Sequence, residues 1–292
     1  MSTAFALRQA SEDLAAPLPP LLADAEHLAT TVLLGSHGRR RAGMGDEFWQ
    51  YRPATATDSV RRIDWRRSAR SDESLFVRET EWQAAQSIQI WVDVSQSMAF
   101  RSDPNLPSKG ERARLIAMAT AVLLVRAGER VGLLGRSLTP RAGRLQLMRM
   151  AHLLGDGEDD NDYGAPEARG MLPNSRALFV SDFLGDMAPV QSALTQAADR
   201  GVEGVLLQVL DPQEELFPFD GRTRFQSMTG AIEFETLKAA NLRDAYLDRL
   251  AQRKAELAAL SELTGWHCHC HHTHASALSA LLWIYGALEK VR

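Results

Sequence analysis

The sequence predicts an α/β protein in which a doubly wound, mostly parallel sheet carries helices on both faces. Two observations predict this fold class. After residue 87, short continuous apolar runs, which are typical of strands buried on both faces, alternate with stretches of helical period. The chain has 292 residues and 45% hydrophobic content, which is enough to bury a large core.

The chain divides into three predicted parts. Residues 1–34 form an N-terminal extension with one helix, because an apolar stripe follows Pro20. Residues 35–85 form a small module that begins Gly- and Arg-rich and continues with charges of both signs between aromatic residues. Residues 86–292 form the main α/β domain, so the small module is an addition to the predicted sheet.

The main domain is built from strands and helices in alternation. The apolar runs predict four strands, at Ile88–Val92, Val131–Leu134, Leu178–Val180 and Val205–Leu210. Helical patterns cover about residues 108–127, 143–154, 188–199, 239–263 and 276–288. The first of these helices opens with a capping box, Ser108-x-x-Glu111, and stops at Gly128. Residues 156–162 and 212–234 are predicted to be surface connections.

Composition and charge exclude several classes of function. The formal net charge of −4 disfavours a nucleic-acid partner, and the arginines of residues 61–70 are interleaved with acids, which favours a salt-bridged structural module. No apolar stretch approaches the ~20 residues of a membrane span, and the N-terminus lacks the pattern of a signal peptide. The two cysteines, Cys268 and Cys270, are too close on one strand to staple a fold. We therefore expect a cytoplasmic protein.

Polar side chains follow two of the predicted strands where each strand ends. Asp93, Ser95 and Ser97 follow the first strand, and Ser181 and Asp182 follow the third. Ligands of open α/β sheets bind at the carboxyl ends of strands, and Mg²⁺ takes one or two carboxylates together with other oxygens. Asp93, Ser95, Ser97 and Asp182 are therefore predicted to hold Mg²⁺ or Mn²⁺. The alternative is a turn whose side chains bond to nearby backbone.

Several motifs together resemble the bacterial family called domain of unknown function 58. They are Gly43-Met-Gly45-Asp-Glu47-Phe48, Arg52, Arg61-Arg62-Ile63-Asp64-Trp65, Ala69-Arg70, Val77-Arg78-Glu79, Asp93-Val-Ser95-Gln-Ser97-Met98, the VSDFL segment at 180–184 and Asp211-Pro-x-Glu214. The resemblance covers roughly residue 35 to the C-terminus. It implies structural roles for Arg52, Arg62, Asp64, Trp65 and Arg70.

The D-x-S-x-S motif also resembles the metal-ion-dependent adhesion site of von Willebrand factor A domains. This resemblance implies a von Willebrand factor A-like fold for the main domain and a metal whose open position accepts a carboxylate from a partner. Such sites also take a Thr from a loop, but no Thr lies between Leu145 and Asp182. Asp156, Asp159, Asp160 and Asp162 are the residues that would replace it.

The segment Gly265-Trp-His-Cys-His-Cys-His-His-Thr-His274 is unusually rich in metal-binding side chains. His267, Cys268, His269, Cys270 and His271 are a second candidate ligand set, for Zn²⁺. Tetrahedral zinc sites draw ligands from two segments, however, and no second cluster is visible in the sequence. The favoured interpretation is the last edge strand of the sheet.

The sequence favours binding over catalysis. The family resemblance implies a MoxR-type AAA+ ATPase as partner and a chaperone-like role in the assembly or maturation of protein complexes. The chain is therefore predicted to be a non-enzymatic adaptor with a degenerate metal site and no organic cofactor. The alternatives are a metal-free interaction module and a metal-dependent hydrolase; the hydrolase ranks lower because no general base is identifiable beside the metal.

Overall fold

The computed structural model describes residues 20–30, 39–43, 47–55, 63–70, 75–155, 159–227, 229–230 and 233–290. The chain forms two compact units. One unit comprises residues 36–86, and the other combines residues 1–35 with residues 87–292.

Helices and strands alternate along most of the chain. The helices are α1 (Pro20–Thr30), α2 (Trp65–Ser68), α3 (Lys109–Arg126), α4 (Arg144–Gly155), α5 (Met187–Asp199), α6 (Pro212–Leu216), α7 (Arg243–Thr264) and α8 (Ala277–Lys290). The strands are β1 (Arg39–Gly43), β2 (Glu47–Pro53), β3 (Phe76–Ala84), β4 (Ser87–Val92), β5 (Arg130–Leu133), β6 (Leu138–Arg141), β7 (Arg176–Ser181), β8 (Glu203–Leu210), β9 (Thr223–Gln226), β10 (Glu233–Thr236) and β11 (His267–His272). Short 3₁₀ turns lie at Gln96–Ala99 and Ala239–Leu242.

The larger unit contains a six-stranded sheet in the order β11-β8-β7-β4-β5-β6. All neighbours pair in parallel except β5 and β6, which are antiparallel. The predicted α/β class and its four strands are therefore confirmed. From β4 the chain adds β5 and β6 on one side, then returns to add β7, β8 and β11 on the other. The strand order thus reverses between β4 and β7, which is the position where open α/β sheets place their ligands.

Apolar side chains cover both faces of this sheet. On one face, Ile90 and Val180 pack in a cluster with residues of α1, α3, α4 and α8. On the other face, Trp91 and Phe179 pack with residues of α5 and α7. Side chains alternate between faces along each strand, so β4 and β7 present their odd-numbered residues to the second layer and their even-numbered residues to the first. Helices on both faces, as predicted, enclose the sheet.

Residues 212–234 are more structured than the predicted surface connection. They contain α6 and most of an antiparallel hairpin of β9 and β10. The helix forms because Asp211 and Glu214 make a reciprocal capping box with Pro212 in the first turn. The prediction of a plain surface connection was therefore wrong. The capping signal Asp-Pro-x-Glu, which indicates the start of a helix, was present in the sequence.

The smaller unit contains an antiparallel sheet in the order β1-β3-β2. Asp64 caps α2 by accepting from the backbone N–H of Arg67, and the hydroxyl of Tyr51 donates to the same carboxylate at 3.0 Å. The Arg67 guanidinium lies 4.5 Å from the centre of the Tyr51 ring. Trp65 begins α2 with its side chain exposed, and Arg70 follows the helix.

Arg52 and Arg62 are the other two residues predicted to have structural roles. Arg52 lies in β2, and Arg62 lies outside the described residues. Among the helices in the described ranges, none is both long and apolar enough to cross a membrane.

Candidate functional site at the carboxyl edge of the sheet

The carboxyl ends of β4 and β7 lie side by side where the strand order reverses. Val92 pairs with Val180, and the backbone N–H of Asp93 donates to the carbonyl of Val180 at 2.9 Å. The register places Asp93 beside Ser181, with Asp182 one position beyond. The polar residues that the sequence predicted at these strand ends therefore leave the sheet at one edge.

Asp93 is a buried carboxylate held by donors of its own chain. Its Oδ1 accepts from the backbone N–H of Ser95 at 2.9 Å, and its Oδ2 accepts from the hydroxyl of Ser181 at 2.7 Å. Burial raises the pKa of Asp93, and the hydrogen bonds from Ser95 and Ser181 act in the opposite direction. Ser181 is a partner of the site that the sequence prediction did not include.

The loop of residues 159–164 packs against the DVSQS turn. Carbonyls of Asn161 and Asp162 accept the backbone N–H groups of Gln96 and Ser97, each at 2.9 Å. The hydroxyls of Ser95 and Ser97 are both buried and lie 3.3 Å apart. The turn is therefore fastened by backbone hydrogen bonds as well as by its own side chains.

Gly164 makes the closest approach of that loop to the site. A Cβ at this position would lie 2.3 Å from Asp93 Oδ1 and 2.7 Å from its Cγ. Real Cβ atoms do not approach other atoms so closely, so a residue without a side chain is required here. The loop can then close over the Asp93 carboxylate.

Asp182 contacts a lysine that the sequence prediction missed. The ammonium of Lys109, in the first turn of α3, lies 2.8 Å from Asp182 Oδ2 and 2.6 Å from Glu214 Oε1. The side chains of Lys109 and Asp182 are each 1% exposed. The alternation of side chains explains this partner, because Asp182 faces the layer that contains α3 whereas Asp93 faces the other layer. The two carboxylates therefore point to opposite faces of the same edge.

The two carboxylates keep the buried lysine charged. Burial alone would lower the pKa of Lys109, but the charges of Asp182 and Glu214 outweigh it and raise that pKa above its ordinary value. Burial raises the pKa of Glu214, because Lys109 compensates it only in part. One sequence signal pointed to this residue: a cation in the first turn of a helix opposes the helix dipole, and Lys109 is one of only four lysines.

The backbone around these carboxylates is constrained. Phe183 and Phe217 follow Asp182 and Glu214 closely and have left-handed φ values of 51° and 40°. For non-glycine residues this conformation has a cost of about 1–2 kcal/mol, so the surrounding contacts must enforce it. Glu214 is itself fixed, since its Oε2 accepts the backbone N–H of Asp211 at 2.8 Å. One carboxylate oxygen thus caps α6 while the other binds Lys109.

The residues as arranged do not fit a Mg²⁺ or Mn²⁺ ion shared by Asp93, Ser95, Ser97 and Asp182. Both oxygens of Asp93 accept hydrogen bonds, and Asp182 accepts from Lys109 and from the backbone N–H of Leu184. Mg²⁺ requires near-octahedral coordination by six oxygens, and the Lys109 ammonium already contacts Asp182 Oδ2.

The acidic residues of the loop do not supply the missing ligand either. Asp159 accepts from Asn161, and Asp162 accepts from the hydroxyl of Thr229 at 2.7 Å. Asp160 is exposed, and Asp156 lies outside the described residues. The loop carboxylates that have hydrogen bonds therefore stabilise the loop and its contact with the β9–β10 hairpin.

An apolar pocket of about 540 Å³ opens beside the Lys109 cluster. Six aromatic residues line most of it: Phe100, Phe217, Phe219, Phe225, Phe234 and Tyr246. Glu214 and Arg249 are the charged residues of the lining. The rings of Phe217 and Tyr246 lie 4.8 Å apart, and burial raises the pKa of Tyr246 to about 12. No sequence motif indicated this pocket, because its rings come from separate segments of the chain between residues 100 and 246.

The His- and Cys-rich segment forms β11, an edge strand that pairs in parallel with β8. The edge-strand prediction is therefore confirmed. Alternation along the strand separates the five predicted ligands, with His267, His269 and His271 on one face and Cys268 and Cys270 on the other. His269 stacks on Trp283 with ring centres 4.6 Å apart. Burial lowers the pKa of His271 to about 4. The strand does not present these five side chains to one ion.

Comparison with known proteins gives one family and a few distant structures. The sequence profile described as "Protein of unknown function DUF58" matches residues 50–256. No curated protein matches the chain. An aerotolerance-related membrane protein from Bacteroides fragilis is 14% identical, with a TM-score of 0.41 over 70% of this chain and 100% of the other. The conserved hypothetical protein BatB from Bacteroides thetaiotaomicron is 13% identical, with the same TM-score and coverage.

Proposed function

We propose a role in protein interaction for this chain, which belongs to the DUF58 family of proteins of unknown function. In this proposal the larger unit is a von Willebrand factor A-like domain that acts as a non-enzymatic adaptor for a MoxR-type AAA+ ATPase. The D-x-S-x-S motif at the reversal of strand order supports the domain assignment. The observation that carries the interaction role is the aromatic pocket beside the buried Lys109 cluster. Both cysteines are free, which suits the cytoplasm.

The geometry of the edge favours binding over catalysis. Asp93, Asp182 and Lys109 are at most 2% exposed, so a substrate in solvent does not reach them. Their polar atoms already have partners within the protein, which include Ser181, Glu214 and backbone N–H groups. A general base or nucleophile must instead be free to contact its substrate. The neighbouring pocket is open and apolar, and exposed apolar surfaces of this kind are typical of protein interfaces.

The occupant we assign to the pocket is an apolar side chain of the partner protein flanked by a basic residue. Aromatic pockets bind large apolar anchors, which carry most of the binding energy of an interface. The basic flank follows from charge. Two carboxylates and one ammonium give the Lys109 cluster a formal charge of −1, and Asp159, Asp160 and Asp162 lie in the adjoining loop. A negative edge favours a positively charged segment and speeds its approach.

In this role the carboxyl edge works without a divalent cation. Lys109 brings a positive charge to Asp182 and Glu214 and compensates their negative charge, as a bound cation would. This is the metal-free form of the adaptor hypothesis. The adaptor role is tested by the affinity for the ATPase, and the absence of an ion is tested by the response of the melting temperature to Mg²⁺.

Phe234→Ala is expected to weaken binding of the MoxR-type ATPase at least ~10-fold, because loss of a central aromatic contact at an interface typically exceeds 1 kcal/mol. Phe234 lines the pocket and is 52% exposed, so the melting temperature should change little. Calorimetric titration of the ATPase into each variant measures the affinity. Leu263→Ala is the control, since Leu263 is 82% exposed and lies outside the pocket lining. Equal affinity for both variants and the wild type would reject the pocket as the docking site.

Mg²⁺ or Mn²⁺ added to chelator-treated protein is expected to leave the melting temperature unchanged, because Asp93 and Asp182 already have donors. Lys109→Met should behave differently. Without the ammonium, Asp182 and Glu214 are free to bind a cation, so Mg²⁺ should raise the melting temperature of this variant. Differential scanning calorimetry measures both. An equal rise in wild type and variant would show that the wild-type edge binds the ion after all.

A further inference from the structure

Three potential metal ligands meet between α6 and β11. They are Glu215, Cys270 and His272, whose ligand atoms all lie within 4.8 Å of one another. In the parts of the chain that the structure describes, this is the one group of three or more His, Cys, Asp or Glu residues so arranged. All three side chains are half-buried. The group is separate from the Lys109 cluster, although Glu214 and Glu215 are consecutive.

The fold supplies the second segment that the sequence lacked. Cys270 and His272 are two residues apart on β11, so alternation places them on the same face. Glu215 comes from α6, which follows β8, the strand paired with β11. His272 Nε2 contacts Glu215 Oε2 directly. Ligands from two segments of the chain therefore converge, which is the arrangement usual in zinc sites.

The ligand types and spacing fit zinc better than other common ions. Thiolate, imidazole and carboxylate together are borderline-soft ligands, which Mg²⁺ and Ca²⁺ do not select. Zn²⁺ binds S, N and O at about 2.0–2.3 Å in tetrahedral geometry, so two ligand atoms of one ion lie about 3.3–3.6 Å apart. The ligand atoms of the group lie within 4.8 Å of one another, so side-chain rotations need to shorten the longest separation by at most about 1.5 Å. The same rotations separate His272 Nε2 from Glu215 Oε2, which are in direct contact without the ion.

We propose that Glu215, Cys270 and His272 bind one Zn²⁺ ion, with water at the fourth position. Lys254 contacts the other oxygen of Glu215. It acts as the outer partner that orients a ligating carboxylate. Cys270 binds as the thiolate and His272 binds through Nε2, so the thiol proton is released when the ion enters and affinity increases with pH.

The competing explanation for metal binding is unspecific chelation by histidines on the opposite face of β11. His267 and His269 lie on that face, and a His-rich strand chelates added metal unspecifically through such residues. The two explanations require different side chains. Cys268 is the natural control for Cys270, since it lies two residues earlier on the same face, is also half-buried and lies outside the group.

The test is a titration of metal-free full-length protein with Zn²⁺ and with Co²⁺ as a spectroscopic probe. We expect one ion per chain and, for Co²⁺, a thiolate charge-transfer band with the intense visible bands of tetrahedral coordination. Cys270→Ser and His272→Gln should each weaken affinity at least ~10-fold, and Cys270→Ser should abolish the charge-transfer band. Cys268→Ser and His267→Gln should change neither.

Two results would overturn the zinc proposal. The first is affinity retained in Cys270→Ser but lost in His267→Gln, which would assign the metal to the other face of the strand. The second is no binding of either ion at micromolar concentration. Neither result bears on the adaptor role, whose readout is the affinity for the ATPase in Phe234→Ala.

Discussion

Lys109→Met is expected to lower the free energy of unfolding by about 3–5 kcal/mol, because it leaves two buried carboxylates without their counter-charge. Lys109 and Asp182 are each 1% exposed, and Glu214 is 15% exposed, so solvent does not replace the lost ammonium. Methionine keeps most of the volume of the lysine stem, so the loss is electrostatic rather than a cavity. Urea unfolding of wild type and variant measures the difference at constant m-value.

Two further variants isolate the cause. Lys238→Met makes the same chemical change at an exposed lysine and should alter stability by less than ~0.5 kcal/mol. Adding Asp182→Asn and Glu214→Gln to Lys109→Met removes the uncompensated charges and should recover a large part of the lost stability. If the triple variant is no more stable than Lys109→Met, the loss comes from packing and the ion cluster is not its cause.

Gly164→Ala is expected to destabilise the protein by about 3 kcal/mol, because the new methyl group collides with a buried carboxylate. Its Cβ would lie 2.3 Å from Asp93 Oδ1 and 3.0 Å from Oδ2. Either the loop moves away, or Asp93 turns and loses its bonds to Ser95 and Ser181. Overpacking and the loss of a hydrogen bond to a charged group each have a cost of about 1–3 kcal/mol.

Gly155→Ala is the matched control for Gly164→Ala. Gly155 ends α4, and a Cβ there would have nothing within 4 Å. The same methyl group should be neutral or slightly stabilising at that position. Hydrogen exchange provides the local readout, since Gly164→Ala should also speed exchange of the N–H groups of Gln96 and Ser97, which bond to the loop. Unchanged stability and exchange would mean that the loop does not close over Asp93.

The sequence predicts the sheet and its layers well because those features depend on local patterns. Four apolar runs became β4, β5, β7 and β8, and the capping box at Ser108 and Glu111 is present in full at the start of α3. The polar strand ends also lie where they were expected. Apolar periodicity and helix caps operate over a few residues, so one sequence suffices to read them.

The partners of the polar residues depend instead on register and on contacts distant in the chain. Lys109 lies 73 residues from Asp182 and 105 from Glu214, and no periodic signal connects them. The separation of Asp93 and Asp182 onto opposite faces requires the pairing of Val92 with Val180. The sequence prediction placed Asp93 and Asp182 in one site because each follows the end of a predicted strand. With β4 paired with β7, the two carboxylates have different partners, Ser181 for Asp93 and Lys109 for Asp182.

The aromatic pocket and the zinc group were missed for the same reason. Each is assembled from segments that have no shared pattern, such as the hairpin and α7 for the pocket, or α6 and β11 for the metal ligands. The Cys and His residues were visible, but the fold decides which of them share a face and which acid joins them. Glu215 joins Cys270 and His272 because the fold brings α6 beside β11.

The five-residue helix α6 makes ion pairs with helices of both layers of the larger unit. Its Glu214 contacts Lys109 of α3, and its Glu215 contacts Lys254 of α7. Those two longer helices pack on opposite faces of the sheet. Adjacent residues of one short helix therefore connect the two layers through ion pairs. If a ligand that displaces α7 also changes the free energy of the Lys109 ion pair, the state of that pair must change the affinity for the ligand by the same factor.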